Sequence, residues 1–283
     1  MTKKTLTSSS LHAPPLPTLP FDLITDILCR LPVKFLIQFR CVCKSWNSLI
    51  SDPKFAEKHL RLSTTRLVHT ITYSNPPHKY ILKSYPLHTV LSDLTITNQI
   101  AHPIAQLEIP WKHVVRFVGS CNGVLCLLAY GYSGFITIRL WNPSIRKFKK
   151  LPYLGKQQGE MYGFGYDAVT NNYKAVVVFD DEVNVYTLST DFWKSIQKFP
   201  FACVSLYSLG TFVSGTINWL VSTTQYFILS LYLGSESFKK VLLPDYGVVN
   251  GFIYLHLEVL KDCLCMVVGR DVWVMKEHGN NDS

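Results

Sequence analysis

The sequence predicts an α+β chain of more than one domain: a small three-helix module, then an all-β, propeller-like repeat domain whose last unit is incomplete. Three observations carry this prediction. Apolar residues at helical spacing are confined to residues 19–62, strand-and-turn patterns fill residues from about 110 to 283, and an aromatic-plus-lysine motif in that second part returns every 45 residues.

The helical module opens after a Pro/Ser-rich stretch, residues 1–18, that reads as a disordered tail. Leu23, Ile24, Ile27, Leu28 and Leu31 recur at the spacing of one helical face. Asp22 and Asp26 favour the positive end of that helix. Pro32 ends it and can begin the next, because proline is tolerated in a first turn. Val33, Leu36, Ile37 and Phe39 follow, then Trp46, Leu49 and Ile50 at i, i+3, i+4, with Pro53 limiting the third segment. Three short helices in about forty residues bury little surface. The module is therefore expected to lean on a partner or on the next domain.

Residues 63–109 read as a linker or a degenerate first blade, with turns at Tyr73–Pro77 and Ser84–Pro86. Beyond them, IRLWNPSIRKFKKLP (138–152), VNVYTLSTDFWKSIQKFP (183–200) and ILSLYLGSESFKKVLLP (228–244) share one plan. Each has an apolar strand, a polar turn, an aromatic followed by lysine, and a closing proline. The aromatics are Phe148, Trp193 and Phe238. Gly-marked strands lie between them. A period of about 40–50 residues with several strands per unit predicts a radial array of sheets, each stacked on its neighbours. Forty-five residues beyond Phe238 is Ser283, the last residue, so DVWVMKEHGNNDS begins a fourth unit that stops short. An open or poorly closed β body is the expectation.

Other classes fit less well. The net charge of +9 would suit a nucleic-acid partner, but the basic residues are spread along the chain. The densest patch, Arg146, Lys147, Lys149 and Lys150, alternates around Phe148 as a strand edge does; it is either a solvated face or a surface that selects acidic partners. Phe117–Ile138 and Phe201–Ser235 lack Lys, Arg, Asp and Glu, yet both are broken by Gly, Ser, Thr and Asn and read as short strands, not membrane spans. Of eight cysteines, Cys41/Cys43 and Cys263/Cys265 have C-x-C spacing in apolar runs, a poor fit to zinc knuckles. Reduced thiols in the cytoplasm or nucleus follow. No phosphate loop, H-x-x-x-H pair or G-x-S-x-G elbow is present, and Asp180, Asp181 and Glu182 read as a hairpin turn. No cofactor, metal or catalytic residue is expected.

LPFDLITDILCRLPVKFLIQFRCVCKSWNSLISDPKFAEKHL resembles a plant F-box, carried by Leu19-Pro20, Leu31-Pro32, Arg40-Cys41-Val42-Cys43-Lys44, Ser45-Trp46 and Ser51-Asp52-Pro53-Lys54-Phe55. Phe35 and Gln38 depart from the usual pattern, in which a small residue and an arginine are commoner. SCNGVLCLL, LWNPSIRKF, YGFGYD, VYTLSTDFW and GTFVSGTINWL resemble the kelch-related F-box-associated domain over residues 110–283. The resemblance implies that Leu19, Pro20, Leu23, Ile27, Leu31, Pro32, Val42 and Trp46 dock on a Skp-type adaptor. Through it, cullin and RING subunits supply the ubiquitin chemistry, and the β body holds an unidentified protein substrate. Motif residues Asn122, Gly123, Asn142, Pro143, Gly163, Gly165, Asp167 and Trp219 are expected to set turns and core. The leading expectation is thus a substrate receptor of an SCF-type (Skp–cullin–F-box) ubiquitin ligase. Two others stand beside it: a decoy that occupies the adaptor without delivering substrate, and a β domain that binds a carbohydrate or small ligand.

Overall fold

The computed structural model describes residues 19–62, 67–74, 79–86, 105–109, 114–131, 136–155, 159–200, 204–205, 209–244, 255–260, 262–269 and 271–275. The expected tail, the turn residues 75–77, much of the 63–109 stretch and the final residues 276–283 lie outside them. The chain divides into two units, residues 1–64 and 65–283.

The first unit holds four helices, α1 (Phe21–Cys29), α2 (Val33–Phe39), α3 (Lys44–Ser51) and α4 (Pro53–Leu62), where the sequence pattern suggested three. The extra helix has a local cause. Asp52 leaves the third helix in an extended conformation, and its Oδ1 accepts the backbone N–H of Lys54 at 2.8 Å. Pro53 then occupies the first helical position, where a missing N–H costs nothing. Leu28, Cys29, Leu36 and Phe55 are buried, ringed by Ile24, Leu31, Phe39, Trp46, Leu49 and Ile50. Trp46 packs edge-on to Phe39 with ring centroids 5.6 Å apart. His59 Nε2 donates to the Leu31 carbonyl at 2.8 Å, tying α4 back to the end of α1.

The second unit is five antiparallel sheets in chain order. The first is β1 (Leu67–Ser74), β2 (Lys79–Pro86) and β3 (Ala105–Glu108). Ser84–Pro86 therefore belongs to a strand and not to a turn: Ser84 is buried opposite Ala105, and Pro86 sits at the strand's end, where its missing donor is tolerated. The second sheet is β4 (Val114–Cys121), β5 (Val124–Tyr130), β6 (Ile136–Asn142) and β7 (Lys147–Lys150). The third is β8 (Met161–Asp167), β9 (Asn172–Phe179), β10 (Glu182–Thr187) and β11 (Phe192–Ser195). In the fourth, β12 (Val204–Ser205) and β13 (Thr211–Val213) both pair with β14 (Thr216–Ser222), which is followed by β15 (Tyr226–Tyr232) and β16 (Ser237–Leu242). The fifth is β17 (Leu255–Leu260), β18 (Cys263–Val268) and β19 (Asp271–Val274).

Each sheet buries a face on the next. Leu82 and Ile109 pack against Leu125, Leu127 and Trp141. Leu128 and Leu140 pack with Phe164, Val177 and Tyr186. Val176, Val183 and Val185 meet Ile217, Trp219 and Leu229, and Leu220 and Ile228 meet Leu255 and Leu264. The innermost strands β4, β8, β13 and β17 touch one another. Gly210 N–H donates to Tyr162 O at 2.7 Å, and Thr211 Oγ1 to Leu257 O at 3.2 Å. This is the packing of propeller blades about a shared inner edge.

The 45-residue period is a repeat of backbone conformation. Trp141 pairs with Phe148, Tyr186 with Trp193, and Leu231 with Phe238, each in the outer hairpin of its sheet. The turn before each aromatic places a non-glycine residue in the left-handed region: Arg146 at φ 54°, Asp191 at 58° and Glu236 at 52°. Two of the inner hairpins use two-residue turns instead. Asn122-Gly123 and Ser214-Gly215 both have positive φ at both positions, the type I′ geometry that suits strand twist. Asp180-Asp181 connects β9 to β10, as the acidic cluster suggested.

Candidate functional site

Among the described residues of the helical unit, more large apolar side chains are exposed than fully buried. α1 is apolar on a broad arc, and the structure divides that arc in two. Ile24 and Leu28 turn inward, while Leu23 and Ile27, one turn apart, are 50% and 52% exposed. Leu19, just ahead of the helix and before its N-cap Pro20, is 59% exposed. Of the five apolar positions read from the sequence as one face, four lie on α1 and divide between an inward and an outward face, while Leu31 follows the helix and packs on the core. Phe21, Phe35 and Val42 are also exposed. Contiguous exposed apolar groups of this kind mark surfaces that pair with another molecule.

Of the eight residues assigned to the docking surface, Leu19, Pro20, Leu23, Ile27, Pro32 and Val42 lie on the exterior. Leu31 and Trp46 are only partly exposed, because both pack on the small core. Trp46 therefore serves the fold through Phe39 as well as any partner. Phe35 points to solvent and does not crowd the interior. Cys41 and Cys43, expected in apolar surroundings, are exposed in the connection between α2 and α3, where no core element covers them. A hydrogen bond with Ser45 lowers the Cys43 thiol below its ordinary pKa.

The surface is framed by charge. Lys58 Nζ lies 2.7 Å from Asp26 Oδ1, and the pairing lowers the Asp26 carboxyl and raises the Lys58 ammonium. Both are exposed, so the pair orients the helices more than it stabilises them.

In the β unit, the motif residues make turns and core. Asn142 Oδ1 accepts the N–H groups of Ser144 at 3.1 Å and Ile145 at 3.4 Å. Trp219 is fully buried, and its Nε1 donates to Tyr162 O at 3.1 Å. A side chain on Gly163 would meet Ile217 Cγ2 at 2.5 Å, so any larger residue forces its neighbours to move. One polar concavity was not foreseen. Arg116, Gly210, Thr211, His256 and Glu258 line a space of about 260 Å³ beside the inner strands. Arg116, His256 and Glu258 come from β4 and β17, and no local spacing announces them.

Comparison with known proteins gives two family matches. Residues 16–58 match the F-box domain, and residues 71–279 match the F-box associated beta propeller domain. A curated F-box/kelch-repeat protein of Arabidopsis thaliana is 32% identical over 92% of this chain and 76% of its own length. A putative F-box protein of the same plant is 31% identical over 83% of this chain and 64% of its own. Among solved structures, TolB from Acinetobacter baumannii overlays 75% of this chain and 52% of its own at a TM-score of 0.46, with 8% identity.

Proposed function

Because the chain belongs to the F-box proteins that carry an F-box-associated β-propeller domain, we propose that it is a substrate receptor of an SCF-type ubiquitin ligase. The helical unit docks on a Skp-type adaptor, which links it to cullin and RING subunits. The β unit holds a protein substrate, and tethering raises that substrate's effective concentration at the conjugating enzyme. The chain itself supplies no chemistry in this reading, and its place of action is the cytoplasm or nucleus.

The observation that carries the proposal is the exposed pair Leu23 and Ile27, with Leu19 just ahead of the helix, on a helix whose opposite side already fills the module's core. A small unit with four buried side chains gains from a partner what it lacks inside. Pro20, Pro32 and Val42 complete the docking surface, with Leu31 and Trp46 supporting it from below.

A decoy would use the same helical surface, so adaptor binding alone does not separate the two roles. Proximity labelling with the full chain, with and without proteasome inhibition, does. A receptor gives labelled partners beyond the ligase subunits that accumulate on inhibition. Labelling confined to ligase subunits under both conditions refutes the receptor role.

A further inference from the structure

Between the second and third sheets lies a cavity of about 290 Å³, close to the lower end of the usual size range for small-molecule sites. It shares no lining residue with the polar space at the inner strands. Ile136 and Ile138 of β6, and Leu151 and Leu154 just after β7, form one wall. Val177, Phe179 and Trp193 of the third sheet form the other, with Tyr153 and Tyr162 beside them. Hydrocarbon and aromatic ring surface therefore dominates, and it fits a planar apolar body.

The polar groups at the cavity select the rest of the ligand. Trp193 Nε1 is already used, donating to Pro152 O at 2.8 Å. Tyr162 is 4% exposed; its hydroxyl oxygen accepts the Gly159 N–H at 2.8 Å, while its own hydrogen has no acceptor among the described residues. Lys150 lines the space and has no carboxylate partner among the described residues, because Asp191 is taken by the neighbouring Lys149 at 2.9 Å. These two unengaged groups are donors, and one is a cation. A buried donor without an acceptor is costly, so the complementary ligand brings acceptors and negative charge.

We propose that this cavity binds a small, planar, apolar carboxylate, with the ring system between the two sheets and the carboxylate directed to Lys150 and the Tyr162 hydroxyl. A sugar would leave its hydroxyls against Ile, Leu, Val and Phe walls, and a phosphate ester would face a single cation.

The test is methyl NMR of the full chain titrated with 2-naphthoate and with its neutral counterpart 2-naphthamide. Saturable shifts at the Ile136, Ile138, Leu151 and Leu154 methyls are expected for both, with the carboxylate binding more tightly. Lys150→Met should weaken 2-naphthoate about tenfold and leave 2-naphthamide unchanged, the size expected for one charge-assisted contact. Ile138→Trp, which fills the space, should abolish both. Absence of saturable shifts at these methyls up to the solubility limit overturns the proposal. So does a 2-naphthoate affinity unchanged by Lys150→Met, a surface change that does not depend on the filled variant folding.

Discussion

The Lys174 ammonium lies 3.1 Å from the Asp167 carboxylate, with 5% and 1% of the two side chains exposed. Lys174 also donates to Leu233 O at 2.7 Å and pairs with Glu236 at 3.2 Å, so one β9 lysine is bound to the outer hairpin of the next sheet. Asp167 in turn accepts the Val169 N–H and the Thr170 hydroxyl. Every charge in the cluster has a partner, the condition under which a buried pair is tolerated. Lys174→Met should therefore destabilise the β unit by about 4 kcal/mol, because it strands Asp167 without its counterion. Urea unfolding followed by tryptophan fluorescence measures this; a loss below about 1 kcal/mol, the range of exposed pairs, contradicts it.

The same cluster sets an acid limit. Burial pushes the Asp167 carboxyl up, but hydrogen bonds from Thr170, Lys174 and Val169 outweigh it and hold the pKa below its ordinary 3.8. Glu236 behaves alike: burial raises it, and Lys194 and Lys174 bring it below its ordinary 4.5. The unfolded chain thus binds more protons in acid than the folded one, and stability rises with pH in that window. The contribution is complete above the ordinary values and is lost as pH falls through the lower folded ones. Unfolding midpoints measured from pH 6 downward should fall more steeply for the wild type than for Lys174→Met. Parallel curves would remove the cluster as the cause.

Gly163 and Gly123 separate two reasons for glycine. Gly163→Ala drives a Cβ to 2.5 Å from Ile217 Cγ2 and 3.1 Å from Trp219 Cζ2, an overpacking expected to cost about 2 kcal/mol. Gly123→Ala meets nothing within 4 Å, but φ +75° disfavours a side chain, at about 1 kcal/mol. Ile217→Val removes the Cδ1 that lies 3.0 Å from that Cβ but keeps Cγ2, so it should recover only a small part of the first loss and none of the second. Thermal unfolding of the four variants decides it.

The three left-handed turn residues differ in what their side chains do. Arg146→Gly relieves backbone strain and should be neutral or slightly stabilising. Asp191→Gly relieves the same strain but removes the acceptor of the Tyr186 hydroxyl at 2.7 Å and the partner of Lys149, so it should lower the unfolding temperature. Equal effects of the two changes would show that the turns are energetically interchangeable.

Much of this architecture is legible in the sequence, and the exceptions have physical causes. The 45-residue interval from Phe148 to Trp193 to Phe238 is visible because each aromatic follows a turn of one backbone shape. The α1 pattern reveals the helix but not its two faces, since Leu23 and Leu28 are equally apolar and only packing decides which is covered. The fourth helix depends on a single cap at Asp52, a signal hidden beside a proline that reads as a stop. Lys174 reads as one polar residue in a strand; its partners at 233 and 236 are brought to it by the stacking of two sheets. The cavity against Trp193 arises the same way, from chain segments that no local spacing connects.

The central claim is that the outer row of α1 docks the chain on a Skp-type adaptor while the inner row holds the module together. Titration of the adaptor against the full chain and against Leu23→Asp/Ile27→Asp tests it most directly, with thermal unfolding run on both. The account predicts at least a hundredfold loss of adaptor affinity, about 2.7 kcal/mol, with the unfolding temperature unchanged. Adaptor affinity within about threefold of wild type for a folded double variant would contradict it.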